Sequence, residues 1–377
     1  MKFLRLAFYV LIAQLVLSGC AGEGVEETSS SSSSEINFDA YVGRDASTRL
    51  GINDLDSLKS NNRWNFGFGV FARYNHTDEA IPSLKLMDDE RVFWQEDHWG
   101  YKHTRYWPSE GSVDFYAFAP CIEGIILRDK PGSTEANPTY IDFPSTLSPV
   151  DLLWANAEKQ TKNSISSTNG KVKFQFKHAT ARLGLDITAN KKLEKNGAVI
   201  TVEEVNLFGH GKDDYVGVFD MEGFLNLKTG KWHVVTDEKT RWYYAWTPTG
   251  KVGKDDDEKY DPTKGTVLKL SASQLNDTTR IITNDRNSYI FIVPQTKNEP
   301  FYLKITYTVR QGDFEEKVTV RKNLLDVLQP GVPNPSFTFE EGKAYVFHLI
   351  LSLDPVDFSV TVDGKKRDEV TGEITIQ

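Results

Sequence analysis

The chain has 377 residues, of which 39% are hydrophobic and 26% are charged, a composition too apolar for a disordered protein. Its 44 basic residues against 53 acidic ones give a formal net charge of −9, which argues against a nucleic-acid partner because phosphate backbones select for an excess of Lys and Arg. Two cysteines exclude a disulfide scaffold and a multi-cysteine zinc site, and the 12% aromatic content favours β-structure.

The N-terminus has the pattern of a lipoprotein signal peptide. A positively charged start precedes an apolar run over residues 6–17, which is too short to remain in a bilayer as a spanning helix. The run ends in Leu17-Ser18-Gly19-Cys20, which resembles a bacterial lipobox. We therefore expect removal of residues 1–19 and acylation of Cys20. The alternative is an ordinary secretory signal in which the cysteine is coincidental.

Residues 20–35 are predicted to form a flexible tether between the acylated cysteine and the folded part. The segment is small, polar and acidic, and it contains the serine run Ser29 to Ser34. Such a composition buries too little apolar surface to fold by itself.

Alternation of apolar and polar residues recurs along the rest of the chain and predicts strands. The first run places Ile36, Phe38, Ala40 and Val42 on one face. Further runs lie at Phe66–Tyr74, Val113–Ala119, Val172–Phe176, Val199–Phe208, Trp242–Trp246, Tyr289–Val293, Phe301–Val309, Val318–Arg321 and Tyr345–Leu353. Because a strand with one apolar face needs a second sheet to cover that face, we expect an all-β protein built from β-sandwiches.

The length predicts about two domains, since a domain of this kind averages roughly 150 residues. A polar stretch, Thr188–Asn196, separates two strand patterns and gives the boundary. We expect an N-terminal β-sandwich domain over residues 36–190 and a C-terminal one over residues 191–377.

Neither a catalytic site nor a metal or cofactor site is predicted, so we expect a protein that is not an enzyme, with a secreted hydrolase as a minor alternative. The chain lacks a nucleophile elbow, a P-loop and a dinucleotide-binding fingerprint. His98 and His103 are five residues apart but no carboxylate triad accompanies them. The acidic run Asp255–Glu258 lacks the spacing of an EF-hand, which favours a solvated loop over a cation site.

An aromatic cluster is formed by Trp94, Trp99, Tyr101, Tyr106 and Trp107. Two interpretations stay open. Aromatic side chains at strand positions usually belong to the core, because each buries a large apolar area. Flat aromatic faces also stack on carbohydrates, so an exposed row would indicate a glycan-binding platform. Burial of the tryptophans distinguishes the two.

Five segments carry motifs that occur together in one family of proteins. They are Tyr106-Trp107-Pro108 with Val113–Pro120, Asp151–Ala155, Phe174–Leu183, Ile292–Gln295 and Gly342–Tyr345. The most specific is Phe174–Leu183, which has the pattern F-x-F-x-H-x-x-A-x-L. Together they resemble the fimbrillin-like (Mfa-like) family of Bacteroidales cell-surface proteins. The chain departs from the family pattern at Val362-Asp363-Gly364, where many relatives carry a Trp, so the subunit type stays open.

The resemblance implies two tandem transthyretin-like β-sandwich domains, the fimbrillin fold, in a lipoprotein precursor of a type V pilus. The partners would be other pilin subunits, the outer membrane through the lipid anchor, and surface receptors or glycans of a host or another bacterium. The implied location is the outer membrane and the fimbrium at the cell surface. The runner-up function is a surface-exposed glycan-binding lipoprotein of a nutrient-uptake system.

The resemblance also implies maturation by an arginine-specific protease that cuts after the first strand and removes it. Arg44 and Arg49 both follow that strand, in a segment whose Gly, Asp and Ser content predicts an exposed loop. The Thr-Arg sequence of the family fits Arg49 better than Arg44.

The C-terminal tail, residues 356–377, contains a second strand pattern of the same kind. Val356, Phe358, Val360 and Val362 repeat the alternation of the first strand, which predicts a donor strand for the groove of another subunit. The alternative is that the tail is the last hairpin of the C-terminal domain.

Overall fold

The computed structural model describes residues 34–42, 55–59, 67–121, 127–128, 140–143, 151–189, 198–210, 217–220, 222–236, 241–242, 244–247, 266–269, 281–282, 290–351, 357–363 and 372–374. The regular secondary structure of these residues is almost entirely β-strand, which confirms the predicted all-β class. None of their helices is long and apolar enough to cross a membrane.

The strands, in chain order, are β1 (Asn37–Val42), β2 (Phe68–Asn75), β3 (Leu84–Gln95), β4 (His98–Tyr101), β5 (Ser112–Ala119), β6 (Leu127–Arg128), β7 (Tyr140–Phe143), β8 (Leu153–Gln160), β9 (Lys171–His178), β10 (Ala181–Ala189), β11 (Val199–Phe208), β12 (Phe219–Asp220), β13 (Glu222–Asn226), β14 (Trp232–Val235), β15 (Arg241–Trp242), β16 (Tyr244–Thr247), β17 (Thr266–Lys269), β18 (Ile281–Ile282), β19 (Ile290–Ile292), β20 (Gln295–Lys297), β21 (Tyr302–Gln311), β22 (Phe314–Asn323), β23 (Phe337–Phe339), β24 (Ala344–Leu351), β25 (Asp357–Asp363) and β26 (Gly372–Ile374). Two short helices, α1 (Leu55–Lys59) and α2 (Leu324–Leu328), and a 3₁₀ turn (Ser166–Thr168) accompany them.

The first sheet closes into a barrel with the strand order β1-β4-β3-β2-β5-β8-β9. Strand β9 shows why the sequence folds this way, because Val172, Phe174 and Phe176 are buried while the residues between them face outward. The buried rings of Phe38, Phe68 and Phe174 meet inside the barrel with centroids 5.6–6.3 Å apart. Alternation thus supplies a continuous aromatic core.

Two further sheets share a second core. One has the order β18-β10-β24-β25-β26 with β19 beside β10, and the other has the order β17-β16-β11-β21-β22. Leu183 of β10 and Phe347 of β24 belong to the same buried cluster as Ile200 of β11 and Tyr307 of β21. This is the arrangement expected when two sheets each have one apolar face.

A small sheet of order β14-β13-β7-β6 combines strands from both halves of the chain. Strand β13 pairs with β7 along four residues, from Gly223 opposite Phe143 to Asn226 opposite Tyr140. Its Leu225 joins a third buried cluster with Phe118 and Trp154, which lie on barrel strands β5 and β8. Strand β10, which precedes the predicted boundary at residue 190, pairs with β24 along eight residues.

Candidate functional site

Strand β1 is the strand that closes the barrel. On one side it runs parallel to β9, with six residues in register from Asn37 opposite Lys171 to Val42 opposite Phe176. On its other side it pairs with β4 at one position, Phe38 opposite Trp99. The attachment of β1 to its two neighbours is therefore unequal.

The inner face of β1 fills the barrel. Ile36, Phe38, Ala40 and Val42 are 0–4% exposed, as the alternation predicts. The Phe38 ring packs against Phe174 in a stacked geometry, with centroids 5.6 Å apart. Each of the larger side chains contributes about 1.5–3 kcal/mol when it is buried. Removal of β1 would therefore open an apolar groove along the length of the strand.

The start of β1 is held by hydrogen bonds to the segment after β4. The Ile36 amide donates to the Arg105 carbonyl at 2.8 Å, and the Trp107 amide donates to the Ser34 carbonyl at 2.8 Å. The Tyr101 hydroxyl donates to the Ile36 carbonyl at 2.7 Å. Burial raises the pKa of Tyr101 above its usual value, so this hydroxyl stays protonated to a higher pH than that of an exposed tyrosine. These bonds compensate for the short β1–β4 ladder.

Helix α1 packs beside the groove. Leu58 is fully buried in the barrel core, and the Lys59 ammonium lies 3.7 Å from the centroid of a Trp94 ring. The segment between the end of β1 and the start of α1 contains Arg44 and Arg49. Both arginines lie outside the described residues, and so does Cys20.

The aromatic cluster is mostly part of the core. Trp99 is 3% exposed and Trp107 is 8% exposed, while Trp94 packs on Trp99 with centroids 5.2 Å apart. Tyr106 alone of the five is largely exposed, at 56%. An exposed row of tryptophans, which a glycan-binding platform requires, is not formed by these residues.

Strand β25 contains three of the four predicted donor residues. It pairs with β24 in the same chain, with Phe358 opposite Leu349 and Val362 opposite Tyr345. Val360 lies between them, and β26 pairs with β25 on the other side. Val356 lies outside the described residues. Within this chain the start of the tail therefore forms a hairpin with β24.

Two family motifs meet in a largely buried hydrogen bond that the sequence did not predict. The His178 Nδ1 lies 2.8 Å from an Asp151 carboxylate oxygen, and the side chains are 13% and 3% exposed. The Ala179 amide donates to the Leu152 carbonyl at 2.7 Å. The Trp232 indole N–H donates to the Ala179 carbonyl, also at 2.7 Å. These motif residues tie the end of the barrel to the sheets that follow.

A third motif residue, Gln295, has a comparable structural role. Its side-chain amide donates to the Asp220 and Val293 carbonyls at 2.9 and 2.8 Å, and its carbonyl accepts from the Asp220 amide at 3.1 Å. The glutamine thus satisfies backbone groups between β12 and β20. The family motifs mark structural junctions in this chain.

In the described part of the barrel, the titratable side chains do not form a metal site. His98 pairs with Asp97 at 2.9 Å, and His103 pairs with Glu90 at 3.0 Å, so the two histidines have separate partners. Within the described ranges, no group of three or more His, Cys, Asp or Glu side chains is arranged to hold a metal ion. The acidic run Asp255–Glu258 lies outside those ranges.

Asp89 on β3 was not singled out by the sequence. Burial, together with the neighbouring Asp88 and Glu90 carboxylates, raises its pKa to about 7. Its backbone has a positive φ of 49°, and its buried Oδ1 has no hydrogen-bond partner in the described part of the chain. Neighbouring β2 shifts register twice against β3 near this position.

Comparison with known proteins places the chain in a family. The model of the fimbrillin-like family matches residues 59–364. The fimbrium subunit Fim1C of Phocaeicola vulgatus is 21% identical over an alignment that covers 93% of each chain. The crystal structure of a fimbrial protein from Bacteroides vulgatus is 16% identical, has a TM-score of 0.53, and covers 87% of this chain and 99% of that one. The chain belongs to the fimbrillin-like family.

Proposed function

We propose that this protein is a structural subunit of surface fimbriae of the type V pilus class, which mediate cell adhesion. It would be assembled by proteolytic removal of β1 and by insertion of a strand from another subunit. The observation that carries the proposal is the position of β1. It fills the barrel with one apolar face, forms its long ladder on one side only, and precedes two arginines.

Energetics support strand replacement after a cut. Loss of Ile36, Phe38 and Val42 from the core would lower the free energy of unfolding by an amount comparable with the whole stability of a domain, which is about 5–15 kcal/mol. A cut barrel is therefore driven to refill its groove. An added strand supplies both the main-chain hydrogen bonds of the β9 edge and apolar side chains at alternate positions.

The proposed donor is the tail of another copy or of a related subunit. Val356, Phe358, Val360 and Val362 have the spacing of four buried residues: Ile36, which immediately precedes β1, and Phe38, Ala40 and Val42 of β1. The hairpin that β25 forms with β24 would then be the state before assembly. In that view the tail leaves its own sheet as it enters the groove of a neighbour.

Acylated Cys20 would hold the precursor in the outer membrane, and no enzymatic activity is proposed. We propose two domains, and the separate buried clusters around Phe38 and around Tyr307 support this organisation. Because β10 pairs with β24, we infer that the boundary falls before Ala181 and not at residue 190.

N-terminal sequencing of purified filaments tests the proposed maturation. We expect the mature protein to begin at Leu50, after Arg49, with cleavage after Arg44 as the second choice. In an Arg49→Lys variant the charge is kept but the arginine-specific site is lost, so cleavage should stop or move to Arg44. Filaments whose subunits still begin at Cys20 would contradict strand removal. They would indicate an anchor subunit or the alternative function.

The alternative, a glycan-binding lipoprotein, is not favoured. Its strongest support in the sequence was the aromatic cluster, and Trp99 and Trp107 of that cluster are buried in the barrel.

A further inference from the structure

The outer face of β9 carries a row of lysines. Lys171, Lys173 and Lys177 alternate with the buried residues of the strand, and Gln175 occupies the remaining outward position. Lys173 and Lys177 are exposed. Strand β1 covers this edge in the uncut chain, with Asn37 opposite Lys171 and Asp39 opposite Lys173.

Removal of β1 would leave β9 as an edge strand with two different faces. The inner face would present apolar side chains, and the outer face would present three positive charges. Lysines on a free edge discourage pairing with unrelated strands, because a positive or neutral strand gains nothing from them. A strand with acidic residues on its outer face is favoured, since opposite charges directly across a ladder attract.

Strand β25 has that composition. Its sequence Asp357-Phe358-Ser359-Val360-Thr361-Val362-Asp363 places an acid at each end and hydroxyl residues between the apolar positions. In its own sheet the residues directly opposite the two acids on β24 are Ile350 and Ala344. Neither of these carries a positive charge.

The apolar positions fix how β25 would lie against β9. When Val356 takes the place of Ile36 and the strand runs in the direction of β1, Asp357 falls opposite Lys171. Asp363 then falls one residue past the position of Val42, opposite Lys177. The register that fills the groove thus also places both acids opposite lysines.

Other placements of β25 against β9 show what the two acids distinguish. If the strand is reversed, with its apolar residues still inward, Asp363 lies opposite Lys171 and Asp357 lies opposite Lys177. A shift by two residues keeps the apolar face inward but leaves one acid beyond the lysine row. The charges therefore select the register, although they do not select the direction.

We propose that the lysine row of β9, residues Lys171, Lys173 and Lys177, is the surface that selects the partner and sets its register. The partner is the acidic strand β25 of a second copy of this chain. The proposal rests on the donor-strand assembly proposed above. In it, Lys171 and Lys177 contact the two acids, whereas Lys173 lies opposite a hydroxyl residue in either direction.

Peptide binding to the cut protein tests the proposal. The full chain is cleaved with an arginine-specific protease, the released β1 fragment is removed, and a labelled peptide of residues 356–363 is titrated. Replacement of both acids by Asn in the peptide should weaken binding about two- to thirtyfold, because each of the two exposed pairs is worth about 0.2–1 kcal/mol. The difference should shrink at about 1 M NaCl, where charges are screened beyond about 3 Å.

Variants of the protein provide the matched control. In the Lys171→Gln, Lys177→Gln double variant, the wild-type and Asn peptides should bind equally, whereas Lys173→Gln should keep most of the difference. Equal binding of the two peptides to the wild-type protein would overturn the lysine-row proposal and leave donor-strand assembly intact. Equal binding of a scrambled peptide would also overturn it, since register would then be irrelevant. Failure of every peptide to bind would overturn the donor-strand function itself.

Discussion

The barrel and the sheet β17-β16-β11-β21-β22 differ in how they present their edges. Each strand of the barrel has a neighbour on both sides, whereas β22 ends its sheet among the described residues. Strand β22 is mostly exposed and is rich in charge, including Glu315, Glu316 and Lys317. Charge protects a permanent edge from adventitious pairing. In the barrel, β1 covers the edge of β9 and the apolar groove beside it. Assembly by strand replacement, as proposed above, requires an edge that is covered until β1 is removed.

The largest expected effect comes from removal of the strand proposed to fill that groove. Deletion of residues 356–377 should abolish filament formation, whereas deletion of residues 363–377 should only weaken it, because most of the donor strand remains. The shortened monomer should still fold, since β24 keeps its eight-residue pairing with β10. Electron microscopy and circular dichroism measure the two properties. Filaments of normal length from the longer deletion would assign the tail to its own core alone.

A core substitution on β1 distinguishes the uncut barrel from the assembled one. Phe38→Ala should lower the free energy of unfolding of the uncut protein by about 3–5 kcal/mol, because Phe38 is 1% exposed in an aromatic core. Tyr41→Ala is the control on the same strand, since Tyr41 is 49% exposed and its loss should matter much less. Urea unfolding gives both values.

The same substitution should have no effect on the mature filament. Once β1 has been removed, residue 38 is absent, and filaments from the Phe38→Ala variant should melt like wild-type filaments. Filaments destabilised by Phe38→Ala would show that β1 remains in the assembled subunit.

Alternation in the sequence predicted the burial of β1, with Ile36, Phe38, Ala40 and Val42 all inward. It did not predict that β1 runs parallel to β9, more than 130 residues later in the chain, because a period of two indicates a face and neither a direction nor a partner. The pairing of β7 with β13 across the predicted domain boundary was missed for the same reason. Family motifs marked Asp151 and His178, but the alternation did not predict that β8 and β9 pair with Leu153 opposite His178, which brings the two side chains together.

Asp89 provides a test of the barrel that depends on pH. Its pKa is raised to about 7 in the folded chain, so the folded state binds a proton that the unfolded state releases between about pH 4 and pH 7. The contribution of Asp89 to the free energy of unfolding is therefore fully present below about pH 4 and is lost as the pH rises through about 7. We expect a loss of about 1–2 kcal/mol, which includes a discount for partial solvent exposure.

Comparison of variants isolates the Asp89 effect. Asp89→Asn should flatten the decrease between pH 4 and pH 8 in urea unfolding, since Asn is neutral and tolerates the positive φ of 49°. The exposed Asp313, which lies in the β21–β22 turn, is the control, and Asp313→Asn should leave the decrease unchanged. A pH profile of Asp89→Asn identical to that of the wild type would assign the decrease to other groups.

The smallest expected effect concerns the start of β1. It measures how strongly the hydrogen bonds there hold β1 in the barrel. Tyr101→Phe removes the hydroxyl that donates to the Ile36 carbonyl at 2.7 Å and accepts from the Arg105 amide at 3.1 Å. The ring remains in the core, so the loss should be about 1 kcal/mol. Because β1 has one paired position with β4, this loss should act mainly on the strand itself. Hydrogen exchange of residues 34–42 should accelerate about fivefold, whereas the exchange of β22 should not change. Tyr106→Phe is the control, since Tyr106 is 56% exposed. Equal acceleration in both variants would show that the Tyr101 hydroxyl does not hold β1 in place.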